Sequence, residues 1–577
     1  MFDSPLSDLA RVCRSAILVL GVFVSLAGCG GNPDAGKNSP TANPGTPNAR
    51  RPATTWKLTD IASEAGIDFT FRNGCEANLA TMLETIGGGV AWLDYDNDGR
   101  LDLFATGGGT FARAEQQTPR IEGRAAGLFQ QQPNGRFASI ADDARLSDLS
   151  RYTHGSAVAD YDNDGFPDLL VTGFGGLQFW HNEGDGTFRE RSAAAGLIDS
   201  EWSASAGWGD LNGDGALDLI VVHYLKWNWE THRTCGGPSP DRPEVCSPKD
   251  FDPVAASLFF SRGDGTFQLA TDIGLRPDGK GLGVVLGDID LDGDVDIYVG
   301  NDTVENFLYL NDGQGHFKEC GTLAGVDVDE HGTANGSMGV DFGDYNSDGK
   351  PDVWVANYVR ESFAMYECVG PGLFQHRSQP LGIAGIDGLN VGWGTGFADL
   401  DRDGHEDLVT ATGHVMLHQE PIRQIPIVLR NQSGRRFDRQ RFDAESYFGK
   451  PHHGRGLALA DFDDDGDLDF AISHNNEPVS LIRNDIESDS RWLRVRLIGR
   501  NGNRDAVGAW LVLRTSQAKQ LRLIKGGGSY LSHSDQRPFW GVPRDARIEQ
   551  LEIHWPLGRE QVLESPPMNQ TLTIVEP

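Results

Sequence analysis

One nine-residue pattern, D-x-[DN]-x-D-G-x-x-D, occurs seven times in this 577-residue chain and constrains its fold more than any other feature. It reads DYDNDGRLD from Asp94, DYDNDGFPD from Asp160, DLNGDGALD from Asp210 and DIDLDGDVD from Asp288. It continues as DYNSDGKPD from Asp344, DLDRDGHED from Asp399 and DFDDDGDLD from Asp461. Successive copies start 66, 50, 78, 56, 55 and 62 residues apart, too far for a β-helix and right for a solenoid or propeller.

The chemistry of the pattern is that of a hard-cation loop. Carboxylates at positions 1, 3 and 5 converge when the chain curls, Gly at 6 permits the bend, and Asp at 9 closes the shell. The expected ligands are Asp94, Asp96, Asp98 and Asp102; Asp160, Asp162, Asp164 and Asp168; and Asp210, Asn212, Asp214 and Asp218. They continue with Asp288, Asp290, Asp292 and Asp296, then Asp344, Asn346, Asp348 and Asp352. The last two sets are Asp399, Asp401, Asp403 and Asp407, and Asp461, Asp463, Asp465 and Asp469. The seven windows hold thirty acids, which repel one another unless a cation sits among them. All-oxygen cages of this kind suit Ca²⁺ better than Mg²⁺, so up to seven Ca²⁺ are expected. These are not EF-hands, because position 12 holds Ala105, Val171, Val221, Val299, Val355, Thr410 and Ile472 instead of a bidentate Glu.

Positions 8 to 12 are apolar runs such as LDLFA and VDIYV, and a second apolar run precedes each loop. Each loop therefore joins two buried strands. A second strand–turn–strand follows on an Asn-Gly or Asp-Gly turn, as in FWHNEGDGTF and LFFSRGDGTF, with LFQHRSQPLG as a degraded fifth copy. Four strands per unit and seven units predict an all-β, seven-bladed β-propeller over residues 56–486, followed by a small β-rich domain over 487–577. The seventh unit lacks its fourth strand, and a spare copy stands before the first hairpin. Residues 56–62 are expected to pair with about 479–485, closing the ring and removing an exposed sheet edge.

The N-terminus reads as an export signal. Arg11 and Arg14 precede the apolar run 16–27, too short to span a bilayer comfortably, and Leu26-Ala27-Gly28-Cys29 resembles a bacterial lipobox. Residues 1–28 are expected to be a lipoprotein signal, Cys29 the lipidated residue, and 29–55 a flexible tether holding the protein on a bacterial membrane. Cys235 and Cys246 bracket a Pro-rich loop and are expected to form a disulfide in an oxidising compartment. A net charge of −33 repels phosphate backbones and argues against nucleic acid as a partner.

The D-x-D-x-D-G hairpins with GDGTF turns resemble the FG-GAP/VCBS repeats of integrin α-chain propellers and their bacterial relatives. In the C-terminal part, Ala506-Val507-Gly508-Ala509, Gly528-Ser529-Tyr530-Leu531-Ser532 and His554-Trp555-Pro556-Leu557-Gly558 resemble the ASPIC/UnbV domain. Repeats followed by that domain are similar to the cartilage acidic protein family over about residues 56–577, with Phe539-Trp540-Gly541-Val542 departing from the family's F-G-L-G. The resemblance implies extracellular calcium binding and interaction functions, and no specific reaction.

In a propeller the loops opposite the metal loops form one face, and function concentrates on such loops. That face is expected to carry His154, Tyr224, Trp227, Trp229, His414, His453 and His474, together with the longest insertion at about 223–253. The favoured function is a noncatalytic, calcium-rigidified adhesion-type module that contacts a protein or glycan. The alternative is a propeller enzyme, a lyase or metal-dependent hydrolase, using the His-rich face. No G-x-S-x-G, H-E-x-x-H, Walker or dinucleotide fingerprint is present in the sequence.

Overall fold

A computed structural model describes residues 56–577 other than 113–117, 148–150, 240, 241, 387 and 419. The expected signal, the tether up to residue 55 and Cys29 lie outside the described residues. Seven antiparallel sheets account for the repeats, six of them four-stranded and the fourth extended to five strands by Gly526–Gly527, and each takes two strands from the flanks of one Asp-Gly loop. In the first, Val90–Leu93 and Asp102–Ala105 flank the loop, and Gly127–Gln131 and Phe137–Ser139 complete the sheet. The innermost strands neighbour one another in sequence order, and that of the seventh sheet, Gly454–Ala460, returns to Val90–Leu93 of the first. This is the expected seven-bladed propeller. Each inner pair is apolar on both sides because every blade is packed between two others, as at Leu103, Leu169, Leu219 and Ile297, all fully buried.

The ring closes as the missing-strand argument requires. Leu58–Asp60 is the outermost strand of the seventh blade and pairs antiparallel with Ser480–Asn484, Leu58 opposite Asn484 and Asp60 opposite Ile482. At the same seam Trp92 of blade 1 stacks on Phe462 of blade 7, with ring centroids 5.9 Å apart.

One local expectation needs correction. In the fifth blade LFQHRSQPLG is not a strand–turn–strand: the third strand is Ala364–Gly370, upstream of it, and Leu373–His376 is the fourth. The turn between them uses Pro371 and Gly372, the latter at φ 61°, so no Asn-Gly or Asp-Gly marks it in the sequence. The insertion within blade 3, between its second and third strands, has a counterpart in blade 1, where Gly109–Ala112 pairs with Arg120–Gly123. In the blade 3 insertion Cys235 and Cys246 form a disulfide, with Cα atoms 5.0 Å apart.

Residues 491–575 build two small sheets, one of Phe539–Val542, Arg491–Ile498 and Gln570–Val575, the other four-stranded around Trp510–Thr515 and Ile548–His554. This part and the propeller form one compact unit. Between the sheets the segment Gly526–Asp535 leaves the C-terminal domain and runs into the centre of the ring, where it touches every blade. Gly526 and Gly527 pair with Leu286 and Val285 of blade 4. The Ser529 amide donates to the Val340 carbonyl of blade 5 at 2.7 Å. The Ser529 hydroxyl accepts from the Thr395 amide of blade 6 at 3.0 Å and donates to the Leu457 carbonyl of blade 7 at 2.7 Å. The His533 amide donates to the Val90 carbonyl of blade 1 at 2.9 Å, and the Leu531 carbonyl accepts from Ser156 of blade 2 at 3.0 Å. Finally, the Leu531 amide donates to the Ser205 hydroxyl of blade 3 at 3.1 Å. Gly89 on the first inner strand is required here, since a Cβ would lie 1.6 Å from the Leu531 carbonyl oxygen. Tyr530, fully buried, fills the axis against Trp393.

Candidate metal loops and the opposite face

The seven loops share one geometry. The position-1 carboxylate accepts the amide of the position-6 Gly through Oδ2 in all seven, at 2.8 to 3.2 Å. Each of these glycines lies at φ between 80° and 105°, backbone that side-chain-bearing residues avoid. The position-9 Asp opens strand B and accepts two amides, one from position 2 of its loop and one from the third strand of its blade. In loop 1, Asp102 accepts from Tyr95 at 3.2 Å and from Gln131 at 2.8 Å. In loop 7, Asp469 accepts from Phe462 at 3.2 Å and from Asn484 at 2.8 Å. Asp at 9 is therefore architectural as well as a candidate ligand.

What remains is oxygen without a partner. The Oδ1 atoms of Asp94, Asp160, Asp399 and Asp461 are buried and accept no hydrogen bond, as are Asp290 Oδ1 and Asp401 Oδ1. Ligand atoms of Asp94, Asp96 and Asp102, of Asp160, Asp162 and Asp164, and of Asp288, Asp290 and Asp296 lie within 4.8 Å of one another. Burial pushes Asp102, Asp160 and Asp218 up to about 8, and Asp296, Asp352, Asp407 and Asp469 well above the ordinary range. Converging, buried oxygens that no donor satisfies fit a bound dication, which would supply the missing partner and hold the carboxylates ionised.

Two features of this face are absent from the motif. An amide side chain at the end of the third strand reaches back to the position-2 carbonyl of the preceding blade's loop. Asn182 reaches Tyr95 at 2.8 Å, Asn311 reaches Leu211 at 2.9 Å, Asn431 reaches Tyr345 at 2.8 Å and Asn484 reaches Leu400 at 2.9 Å. Gln131 of blade 1 reaches Phe462 of blade 7 at 3.0 Å, while blades 3 and 5 have Ser261 and Cys368 at this position. The Asn recurring in blades 2, 4, 6 and 7 was the available signal. In addition, the C-terminal domain lies directly over the loops. Arg494, 3% exposed at its side chain, pairs with Asp461 at 2.9 Å. The Leu521 amide donates to Asp344 at 2.9 Å, the Gly541 amide to Asp399 at 3.1 Å, and Arg504 stands 3.5 Å from Asp160.

The opposite face is irregular. Trp227 and Trp229 pack edge-on to each other, Trp227 against Phe174 of blade 2 and Trp202 at the start of blade 3, and Trp229 against Phe111 of the blade 1 hairpin. Both tryptophans anchor the disulfide loop rather than stand out from it. His154 is fully buried, its Nδ1 donating to the Gly87 carbonyl at 2.8 Å. His474 donates from Nδ1 to the Pro478 carbonyl at 2.7 Å, so its Nε2 accepts from the Tyr447 hydroxyl at 2.8 Å and the ring is neutral. His453 Nε2 lies 2.9 Å from the His414 carbonyl, which brings these two together beside the buried Arg455. Burial depresses His154 and His474 to about 4 and His453 to about 3. His223 stands between the Ser203 hydroxyl, 3.4 Å away, and Asp199, 3.1 Å away, an order of groups the sequence did not reveal. Ser203 and His223 are at most 1% exposed, so this set ties two strands of blade 3 together without access for a substrate.

At the centre of this face is a cavity of about 370 Å³, closed below by Trp393 and walled on one side by the disulfide loop. Tyr224 and Tyr358 line it beside Asp302, Thr303 and Glu361. The Tyr224 hydroxyl donates to Asp302 at 2.6 Å. Thr303 holds a left-handed backbone, φ 64°, unusual for a β-branched residue, and its buried hydroxyl has no partner. Of the expected candidate residues on this face, Tyr224 alone lines the cavity.

Comparison with known proteins places this architecture. The model of the ASPIC and UnbV domain matches residues 499–577, and that of the FG-GAP-like repeat matches 94–171, 160–221, 243–299 and 288–355. Cartilage acidic protein 1 of Mus musculus is 26% identical over 524 residues, covering 85% of this chain and 74% of that protein. The Homo sapiens protein is 25% identical over 524 residues, covering 85% and 72%. Among solved structures, an Agrocybe aegerita protein described as recognising non-reducing terminal N-acetylglucosamine aligns with a TM-score of 0.38 and 16% identity, over 63% of this chain and 88% of that one. The chain carries FG-GAP-like repeats followed by a C-terminal ASPIC and UnbV domain and is homologous to cartilage acidic protein 1.

Proposed function

We propose that the protein is an exported, membrane-anchored interaction module, rigidified by Ca²⁺ in its seven loops, that meets a protein or glycan partner through the face opposite those loops. The observation that carries this reading is the contrast in access. The C-terminal domain lies over the loop face and fills the axis, while the opposite face holds a cavity of about 370 Å³ with aromatic walls and two carboxylates at one side. Aromatic faces that stack on apolar ligand surfaces, beside carboxylates that accept hydroxyl or amide hydrogens, suit a sugar or a peptide side chain. Buried loop oxygens without partners support the calcium reading. Homology to cartilage acidic protein 1 supports an extracytoplasmic setting, and the Leu26–Cys29 sequence supports the lipid anchor.

The test is a glycan and envelope-protein binding screen with full-length protein in calcium. Tyr358→Ala and Glu361→Gln, at the partly exposed wall of the cavity, are expected to lose the captured ligand, with the melting of each variant read in the same buffer. Binding that survives both substitutions would move the site elsewhere. For the anchor, Cys29→Ala is expected to release the protein from the membrane pellet; retention at the parental level would defeat the lipoprotein reading.

A further inference from the structure

Each metal loop is overlooked by one residue of the third strand in its blade. Phe129, Trp180, Phe259, Tyr309, Tyr366, Leu429 and Ile482 lie opposite the second residue of strand B in their blades. The next residue in each case is Gln130, His181, Phe260, Leu310, Glu367, Arg430 or Arg483, and all seven are half-buried beside the loop. This position is outside the nine-residue motif, and its chemistry differs from blade to blade. Gln130 donates to Asp96 at 2.6 Å, and Arg430 reaches Asp401 at 2.6 Å and Asp403 at 3.5 Å. In blade 2 the residue is an imidazole.

His181 Nδ1 lies 3.0 Å from Asp168 Oδ1 and 3.7 Å from Asp162 Oδ2. The three ligand atoms fall within 4.8 Å of one another, and the neighbouring set of Asp160, Asp162 and Asp164 satisfies the same limit. Asp160, 4% exposed, has a buried Oδ1 with no hydrogen-bond partner. Ca²⁺ is a hard cation served by oxygen, whereas first-row transition dications take imidazole nitrogen readily. Two ligands at right angles on bonds of about 2.1 Å stand about 3.0 Å apart, while Ca²⁺ bonds of about 2.3–2.6 Å set them wider. In the structure the 3.0 Å between His181 Nδ1 and Asp168 Oδ1 is a hydrogen bond, which a cation held by both atoms would replace at the separation the shorter bonds require.

We propose that loop 2 is a mixed nitrogen–oxygen site for a first-row transition dication, with His181 Nδ1 as its nitrogen ligand and Asp160, Asp162 and Asp168 as oxygen ligands. It differs in kind from the other six loops, none of which has a histidine at this register. The proposal rests on the reading of the loops as cation sites. The competing role for His181 is that of Arg430 in blade 6, a tethered positive charge that neutralises the loop without metal.

The experiment uses full-length, metal-stripped protein in excess Ca²⁺, with Mn²⁺ as the probe and Zn²⁺ as competitor. One Mn²⁺ per chain is expected to remain bound against Ca²⁺, to show nitrogen-14 coupling in its pulsed electron paramagnetic resonance spectrum, and to be displaced by Zn²⁺. His181→Gln is expected to abolish the nitrogen coupling and weaken Mn²⁺ retention at least tenfold, with Ca²⁺ uptake elsewhere unchanged. Ca²⁺ uptake in the parent without nitrogen-coupled Mn²⁺ would overturn this proposal alone. Failure to take up any cation would overturn the loop reading and this proposal with it. Should the Gln variant fail to fold, the parental nitrogen coupling still decides the outcome.

Discussion

The two faces of the propeller are built on opposite plans. The loop face is periodic: seven loops repeat the same Gly turn and the same Asp contacts to within a few tenths of an ångström. The opposite face carries a hairpin from blade 1, a disulfide loop from blade 3, and histidines each held by a different local partner. The periodic face is the one that is covered, because position-1 carboxylates and their loops bind the C-terminal domain through Arg494, Leu521 and Gly541. On the function proposed above, regularity serves the scaffold and irregularity serves recognition, as expected where loops on a rigid frame carry function.

The sharpest way to break this comparison is to remove the cover. Deleting residues 487–577 withdraws Gly526–Asp535 from all seven inner strands and exposes an apolar axis. Loss of the soluble, cooperatively folded propeller is expected, read by proteolysis and calorimetry. A propeller that melts like the parent after the deletion would show that the C-terminal domain is only a passenger.

Next in size is the seam. Removing residues 56–62 strips the outer strand from blade 7, and a destabilisation well beyond one surface strand is expected in thermal melts. Unchanged melting would mean that blade 7 tolerates an open edge. Tyr530→Ala, a smaller intervention at the axis, is expected to cost about 3–5 kcal/mol, as for a large buried aromatic, read by denaturant titration.

The two faces should also titrate with opposite signs. On the irregular face His154, His453 and His474 have folded values of about 4, 3 and 4, below the ordinary histidine value. The unfolded chain therefore binds more protons below about pH 6.5, and the stability these residues contribute is lost as pH falls, by up to about 1.4 kcal/mol per unit for each. On the loop face Asp102, Asp160 and Asp218 are raised to about 8 in the absence of cation. Their contribution is present at low pH and is lost as pH rises through about 8, unless a cation takes the proton's place. The melting penalty of a calcium chelator should accordingly be larger at pH 8 than at pH 5. A penalty independent of pH would disconnect the buried carboxylates from metal.

The smallest effect lies within the loop face. Loops 3 and 5 carry Asn212 and Asn346 at position 3, and fewer ligand charges mean weaker binding. Stepwise chelation followed by calorimetry should empty these two first. If they proved the tightest, position 3 would not be what ranks the sites.

Much of this could be read from the residues in order. The Asp-Gly loops, the flanking apolar runs and the spare strand at residues 56–62 are local patterns, each carrying its own geometric requirement, and together they predict the blades and their closure. The Cys235–Cys246 bridge was legible for the same reason, with its ends eleven positions apart. Blade 5 was misread because its turn uses Pro371-Gly372 in place of Asn-Gly. His181 and Arg430 went unremarked because their relation to the loops runs through cross-strand register, not through spacing along the motif.

By itself, then, the sequence determined the repeat, its strands, its candidate ligands and the number of blades, since a turn and the two strands beside it are fixed by neighbours a few residues away. Only the tertiary structure decided that Gly528-Ser529-Tyr530-Leu531-Ser532 occupies the axis, that the loop face is covered, and that Tyr224, Asp302, Glu361 and Trp393 share one cavity. Those residues are brought together from across the chain by ring closure. Tyr224 meets Asp302 across 78 residues and Ser529 meets Leu457 across 72, separations that no local pattern can encode.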